Sequence, residues 1–101
     1  MSRAQKVLSL RVDADDYSFL SRLAAEERED VSKTVRGLME KGRVLLAVQR
    51  YRAGQASLGR AAALAGVSIA EMMDVLEEYG VPAKLSVEEY RKSLESLSEV
   101  W

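Results

Sequence analysis

One short segment near the N-terminus constrains this chain more than any other. In Lys6-Val7-Leu8-Ser9-Leu10-Arg11-Val12-Asp13, apolar and polar side chains alternate. The alternation predicts a β-strand with Leu8, Leu10 and Val12 on one face and Val7, Ser9 and Arg11 on the other. No later segment reads as a second strand. A lone strand leaves its backbone N–H and C=O groups without partners, so it needs another strand beside it. The same segment of a second copy, antiparallel about a two-fold axis, supplies one at the least cost. The expectation is a homodimer built on a two-stranded ribbon, a shape that the major groove of B-DNA accepts.

The rest of the chain predicts helices. Asp13 is placed to cap a helix from Ala14 to about Arg28, with Tyr17, Leu20, Leu23 and Ala24 on its inner face. The charged run Glu26–Asp30 ends it. Ser32 then caps a second helix, with Val35, Leu38 and Met39 facing inward, which continues through Leu45, Leu46 and Tyr51 to Gly54. Ser57 opens a short helix over residues 58–65, broken at Gly66. Ser68, with Glu71 three residues on, forms a capping box for the next helix, which places Met72, Val75, Leu76 and Tyr79 inward and stops at Gly80. Pro82 follows, and Ser86 opens a last helix with Tyr90, Leu94 and Leu97 on one face. The fold class expected is mostly α. It combines a ribbon-helix-helix dimer, one N-terminal strand per chain, with a helix-turn-helix-like C-terminal module. The domains are residues 1–53 and 54–101.

Composition narrows the function. Cysteine and histidine are both absent, which removes disulfides, thiol chemistry, zinc sites and imidazole catalysis. No aspartate-rich loop suggests a metal, no cofactor motif stands out, and no nucleophile–base pair or phosphate loop marks an enzyme. No apolar run approaches the ~20 residues of a membrane span, so a cytoplasmic protein with no membrane contact is expected. The net charge of −1 hides a division: residues 1–53 hold 11 Lys/Arg against 8 Asp/Glu, and residues 54–101 hold 4 against 8. The first half suits a polyanion and the second does not.

The strand Leu8-Ser9-Leu10-Arg11-Val12, the helix after Asp13 and the Ser32-Lys33-Thr34-Val35 helix start resemble the ribbon-helix-helix family of DNA-binding proteins. That resemblance implies base contacts from Val7, Ser9 and Arg11. Arg11 is suited to guanine O6 and N7, and Val7 only to a thymine methyl. It also implies a phosphate held at the start of the second helix by Ser32, Lys33 and Thr34, where free N–H groups and the helix dipole favour an anion. Arg3 and Lys6 stand ready to add phosphate contacts.

Residues 58–68, Leu-Gly-Arg-Ala-Ala-Ala-Leu-Ala-Gly-Val-Ser, look like a helix-turn-helix, with Ala62 at the helix crossing and Gly66 in the turn. The second helix presents Ser68, Ile69, Ala70, Met73, Asp74 and Glu77 outward. It has Glu71, Asp74, Glu77 and Glu78 and no Lys or Arg, so phosphates repel it. Tyr51-Arg52-Ala53-Gly54, residues 57–68 and Glu78-Tyr79-Gly80-Val81-Pro82 resemble a small prokaryotic family often encoded beside PIN-domain ribonuclease toxins. That resemblance implies an antitoxin. The stripe Tyr90, Leu94, Leu97 and Trp101 is then the candidate partner-binding surface. The function expected is a DNA-binding transcriptional regulator, the antitoxin and autorepressor of a toxin–antitoxin pair. A stand-alone ribbon-helix-helix transcription factor and a protein-interaction adaptor without DNA binding are the alternatives.

Overall fold

The structure, a computed structural model, describes residues 4–81 together with 91, 94 and 95. Within residues 4–81 four helices follow one another: α1 (Ala14–Glu27), α2 (Val31–Arg52), α3 (Leu58–Ala65) and α4 (Ile69–Glu78); residues 91, 94 and 95 are also helical. The chain divides into two units, Met1–Arg36 and Gly37–Trp101, with the division inside α2.

The described part of the second unit has a closed core. Ala47 and Val48 of α2 meet Leu58, Ala61, Ala62 and Ala65 of α3 and Ile69, Met72 and Leu76 of α4, all buried. The alanines let α3 lie close to its neighbours, and Met72 and Leu76 fill the remaining volume. Ser57 caps α3 by accepting the Arg60 N–H at 3.1 Å. Gly66 ends that helix in the left-handed region (φ 74°). Its N–H donates to the Ala63 carbonyl, and that of Val67 to Ala62, which closes the helix end. Ser68 and Glu71 then form the expected capping box of α4.

In the first unit, only Ala24 and Thr34 are buried among the described residues. α1 ends at Arg28, whose φ of 54° makes it the one non-glycine residue with positive φ among those described. The Arg28 N–H donates to Ala25 and the Glu29 N–H to Ala24, the same closure that Gly66 and Val67 make after α3. α2 starts two residues earlier than Ser32 suggests. Asp30 occupies the cap and accepts the Lys33 N–H at 2.7 Å, and Ser32 lies in the first turn.

The structure corrects the expected fold class. No residue among those described forms a β-strand, and residues 4–13 carry no regular structure. A strand is defined by the ladder it makes with a neighbour, and among the described residues none forms such a ladder with the alternating segment. Val7, Leu8 and Leu10 are 97%, 75% and 72% exposed. The alternation of Leu8, Leu10 and Val12 therefore does not register a buried sheet face, and the ribbon-helix-helix assignment falls with it. Smaller corrections concern burial. Tyr17, Met39 and Tyr79 are exposed rather than inward. Ile69, expected outward, is buried at 4%, because the first turn of α4 leans onto α3.

Candidate functional site

Three places carry the chemistry that the sequence pointed to. The first is the N-terminal segment. Lys6, Val7, Ser9 and Arg11 are all exposed, on a backbone with no regular structure. Without a strand, the argument that Val7, Ser9 and Arg11 share a base-reading face no longer holds. What remains is two exposed cations, Lys6 and Arg11, on a segment without regular structure.

The second place is the start of α2. Part of what it offers an anion is already engaged from within the chain. Asp30 accepts the Lys33 N–H. Thr34 is buried and its hydroxyl donates to Glu29 Oε1 at 2.9 Å. Lys33 Nζ lies 4.0 Å from Glu29 Oε2. Of the three residues expected to grip phosphate, Thr34 is committed to Glu29 and Lys33 is paired with it. Ser32 stays exposed. Two carboxylates thus occupy the corner where an anion would sit, a role that sequence reading gave to the helix dipole alone. Asp30 is legible in principle, since an aspartate before an apolar residue is a common cap, but it lies inside the charged run Glu26–Asp30 that marks the end of α1.

The third place is the turn between α3 and α4. Its geometry depends on a residue that sequence reading passed over. Arg43 of α2 donates from Nε to the Leu64 carbonyl at 2.8 Å and from Nη2 to Ala63 at 3.2 Å. A cation there gives the Leu64 carbonyl a donor, adds a second donor to the Ala63 carbonyl that already accepts the Gly66 N–H, and opposes the negative end of the α3 dipole. A Cβ on Gly66 would lie 3.1 Å from the guanidinium, so the glycine and the arginine fit each other. Arg52 repeats the device at the end of α4, with Nη2 3.3 Å from the Tyr79 carbonyl. Two cations of the basic half are thus part of the fold. On α4 itself, Ala70, Glu71, Asp74, Glu77 and Glu78 are exposed. Glu71 accepts the Ser68 N–H at 3.1 Å, and this bond, with the one to the Ser68 side chain, holds its carboxyl below the usual range.

Leu94 is helical and 45% exposed. Arg3, Tyr90, Leu97 and Trp101, the other expected contact residues, lie outside the described residues. Among those described, no group of three or more acidic side chains is placed to hold a metal ion, and no helix is long and apolar enough to cross a membrane.

Among the described residues, the geometry defines a small all-helical protein whose second unit packs α2, α3 and α4 around one core. The chain belongs to the uncharacterised protein family UPF0175, whose family model matches residues 23–99. A UPF0175 protein of Archaeoglobus fulgidus is 34% identical over 74 residues, which cover 71% of this chain and 85% of the relative. One from Aeropyrum pernix is also 34% identical over 74 residues, covering 73% and 83%. No solved structure matches the chain. The match begins inside α1, so the segment that suggested a ribbon lies outside it. What matches is this family, whose description names neither a ribbon-helix-helix protein nor a toxin-neighbouring module. The assignment to a ribbon-helix-helix protein fused to such a module is replaced by this one family, which runs through α2 without a break.

Proposed function

We propose that this protein is a non-catalytic regulator of the antitoxin type, which touches DNA with its N-terminal arm and a protein partner with its helical second half. The carrying observation is how the exposed charge is divided. Lys6 and Arg11 stand exposed on the arm, whereas from Ala61 to Ala83 the charged residues are four acids and no bases. A polyanion is drawn to the first region and repelled by α4. The helix-turn-helix-like pair α3–α4 serves in this reading as a protein-binding scaffold, not a DNA reader. Flexible basic arms contact DNA mainly through phosphates, so sequence preference is expected to be modest.

Fluorescence anisotropy of the full chain on DNA from upstream of its own gene, over a salt series, tests the DNA half. The expected result is binding that weakens steeply with salt. In the variant K6A/R11A the salt slope should fall by about two, roughly one per lost phosphate contact. Absence of binding at low salt, or a variant indistinguishable from wild type, overturns DNA contact by the arm. The adaptor reading then takes its place. It draws on the use of Arg43 and Arg52 as helix-end partners, which removes two cations from any DNA surface.

A further inference from the structure

α2 has two apolar faces, and the core uses one. Val44, Ala47, Val48 and Tyr51 point into the core or pack against it. On the opposite side Leu38, Met39, Gly42, Leu45 and Leu46 recur at helical spacing. Leu38 is half-buried, while Met39, Leu45 and Leu46 are 51%, 45% and 40% exposed. Gly42 sits at the middle of this face. A Cβ there would meet nothing within 4 Å, so the packing of the chain itself gives no reason for a residue that weakens a helix relative to alanine. A glycine at the centre of an exposed apolar helix face allows a second helix to approach closely.

Charge decides what that helix is. Lys41 borders the face on one side and Arg50 on the other, both exposed. The only acid on α2, Glu40, lies away from it. Pairing with a second copy of this helix, in either direction, would bring basic edge against basic edge. We infer that this face of α2 docks an amphipathic helix of a partner protein, with an apolar stripe against Leu38, Met39, Leu45 and Leu46 and carboxylates facing Lys41 and Arg50. The inference is independent of DNA contact by the arm and adds, on α2, a protein-binding face separate from the α3–α4 scaffold proposed above.

The test uses the full chain and two fluorescein-labelled synthetic helical peptides with the same leucine stripe, one flanked by glutamates and one by lysines. Anisotropy should show the glutamate peptide binding at low salt, with the lysine peptide at least about tenfold weaker. The double variant K41E/R50E should reverse that order. Leu45→Asp should weaken the glutamate peptide about tenfold or more, while circular dichroism keeps the helical signal, because Leu45 is outside the core. Gly42→Ala should weaken it too, despite raising the melting temperature. Equal binding of the two peptides, or an unchanged order in K41E/R50E, overturns the proposal. So does a concentration-dependent dimer in sedimentation that Leu45→Asp abolishes, since a second copy would then cover this face.

Discussion

The α1–α2 and α3–α4 corners close by the same hydrogen-bond scheme and differ in almost everything behind it. Each has a left-handed residue at the helix end, Arg28 in one and Gly66 in the other. Each next helix has an oxygen cap that accepts an N–H three residues on, from Asp30 to Lys33 and from Ser68 to Glu71. Yet the α3–α4 corner closes over buried Leu58, Ala62, Met72 and Leu76. α1 meanwhile exposes Tyr17 and Phe19 at 57% and 50%. Turn chemistry fixes where a helix stops and the next begins. It does not supply a core, and burial of apolar area provides most of the stability.

The sharpest way to break this comparison is to truncate one large side chain in each region. Met72 is fully buried, so Met72→Ala should cost about 2–5 kcal/mol in chemical denaturation. Phe19→Ala, in dilute protein, should cost under about 0.5 kcal/mol, as exposed substitutions do. A loss at Phe19 equal to that at Met72 would show that the first unit has a core of its own, and the contrast would fail.

The two left-handed residues come next in size. Gly66→Ala forces a side chain into φ 74° and against the Arg43 guanidinium. It should destabilise by at least about 1–2 kcal/mol, read as a lower denaturation midpoint. Arg43→Ala leaves the Leu64 and Ala63 carbonyls without this donor and should cost about 1–3 kcal/mol. If the two losses add when combined, the residues are independent. A double variant less damaged than the sum confirms that the glycine is there for the arginine.

What could be read from the sequence follows this same division. Ser57, Gly66, Ser68 with Glu71, and Gly80 are local signals, each acting on backbone within a few residues, and all mark helix ends where expected. The burial of Met72 and Leu76 followed from periodicity. Arg43 was not legible, because its partners lie 20 and 21 residues away and nothing local sets an arginine of this kind apart from a solvated one. The segment at Leu8–Val12 failed for the opposite reason. Its alternation is a local pattern, but strand formation is decided by a neighbour that the pattern does not contain. In the candidate site, Lys6 and Arg11 are exposed, as is every residue from 4 to 19. The α2 start was misjudged at Ser32 because Glu29 and Asp30 answer its dipole first.

The α4 cap adds a smaller effect with a pH signature. Ser68→Ala should cost about 1 kcal/mol at neutral pH. Glu71 titrates below its ordinary value of 4.5 in the folded protein. Its contribution is therefore present above that value and lost as pH falls through the lower folded one. Glu71→Gln should remove this acid-side loss and leave the rest of the pH–stability curve in place. An unchanged acid limb would mean that the carboxylate gains nothing from the Ser68 N–H.

One small expected change has the opposite sign, and it brings the two corners together. Arg28 holds a conformation that costs a side chain about 1–2 kcal/mol, where α3 has a glycine. Arg28→Gly should relieve that strain but loosen the unfolded chain, for a net gain of about 0.5–1 kcal/mol. Hydrogen exchange on the Arg28 and Glu29 amides, which donate to Ala25 and Ala24, is the local reading. Slower exchange there with little change in global unfolding would mean that the first corner opens by itself, ahead of the core. Slower exchange matched by an equal rise in global stability would mean that α1 unfolds with α3 and α4 as one body, despite having so little buried beneath it.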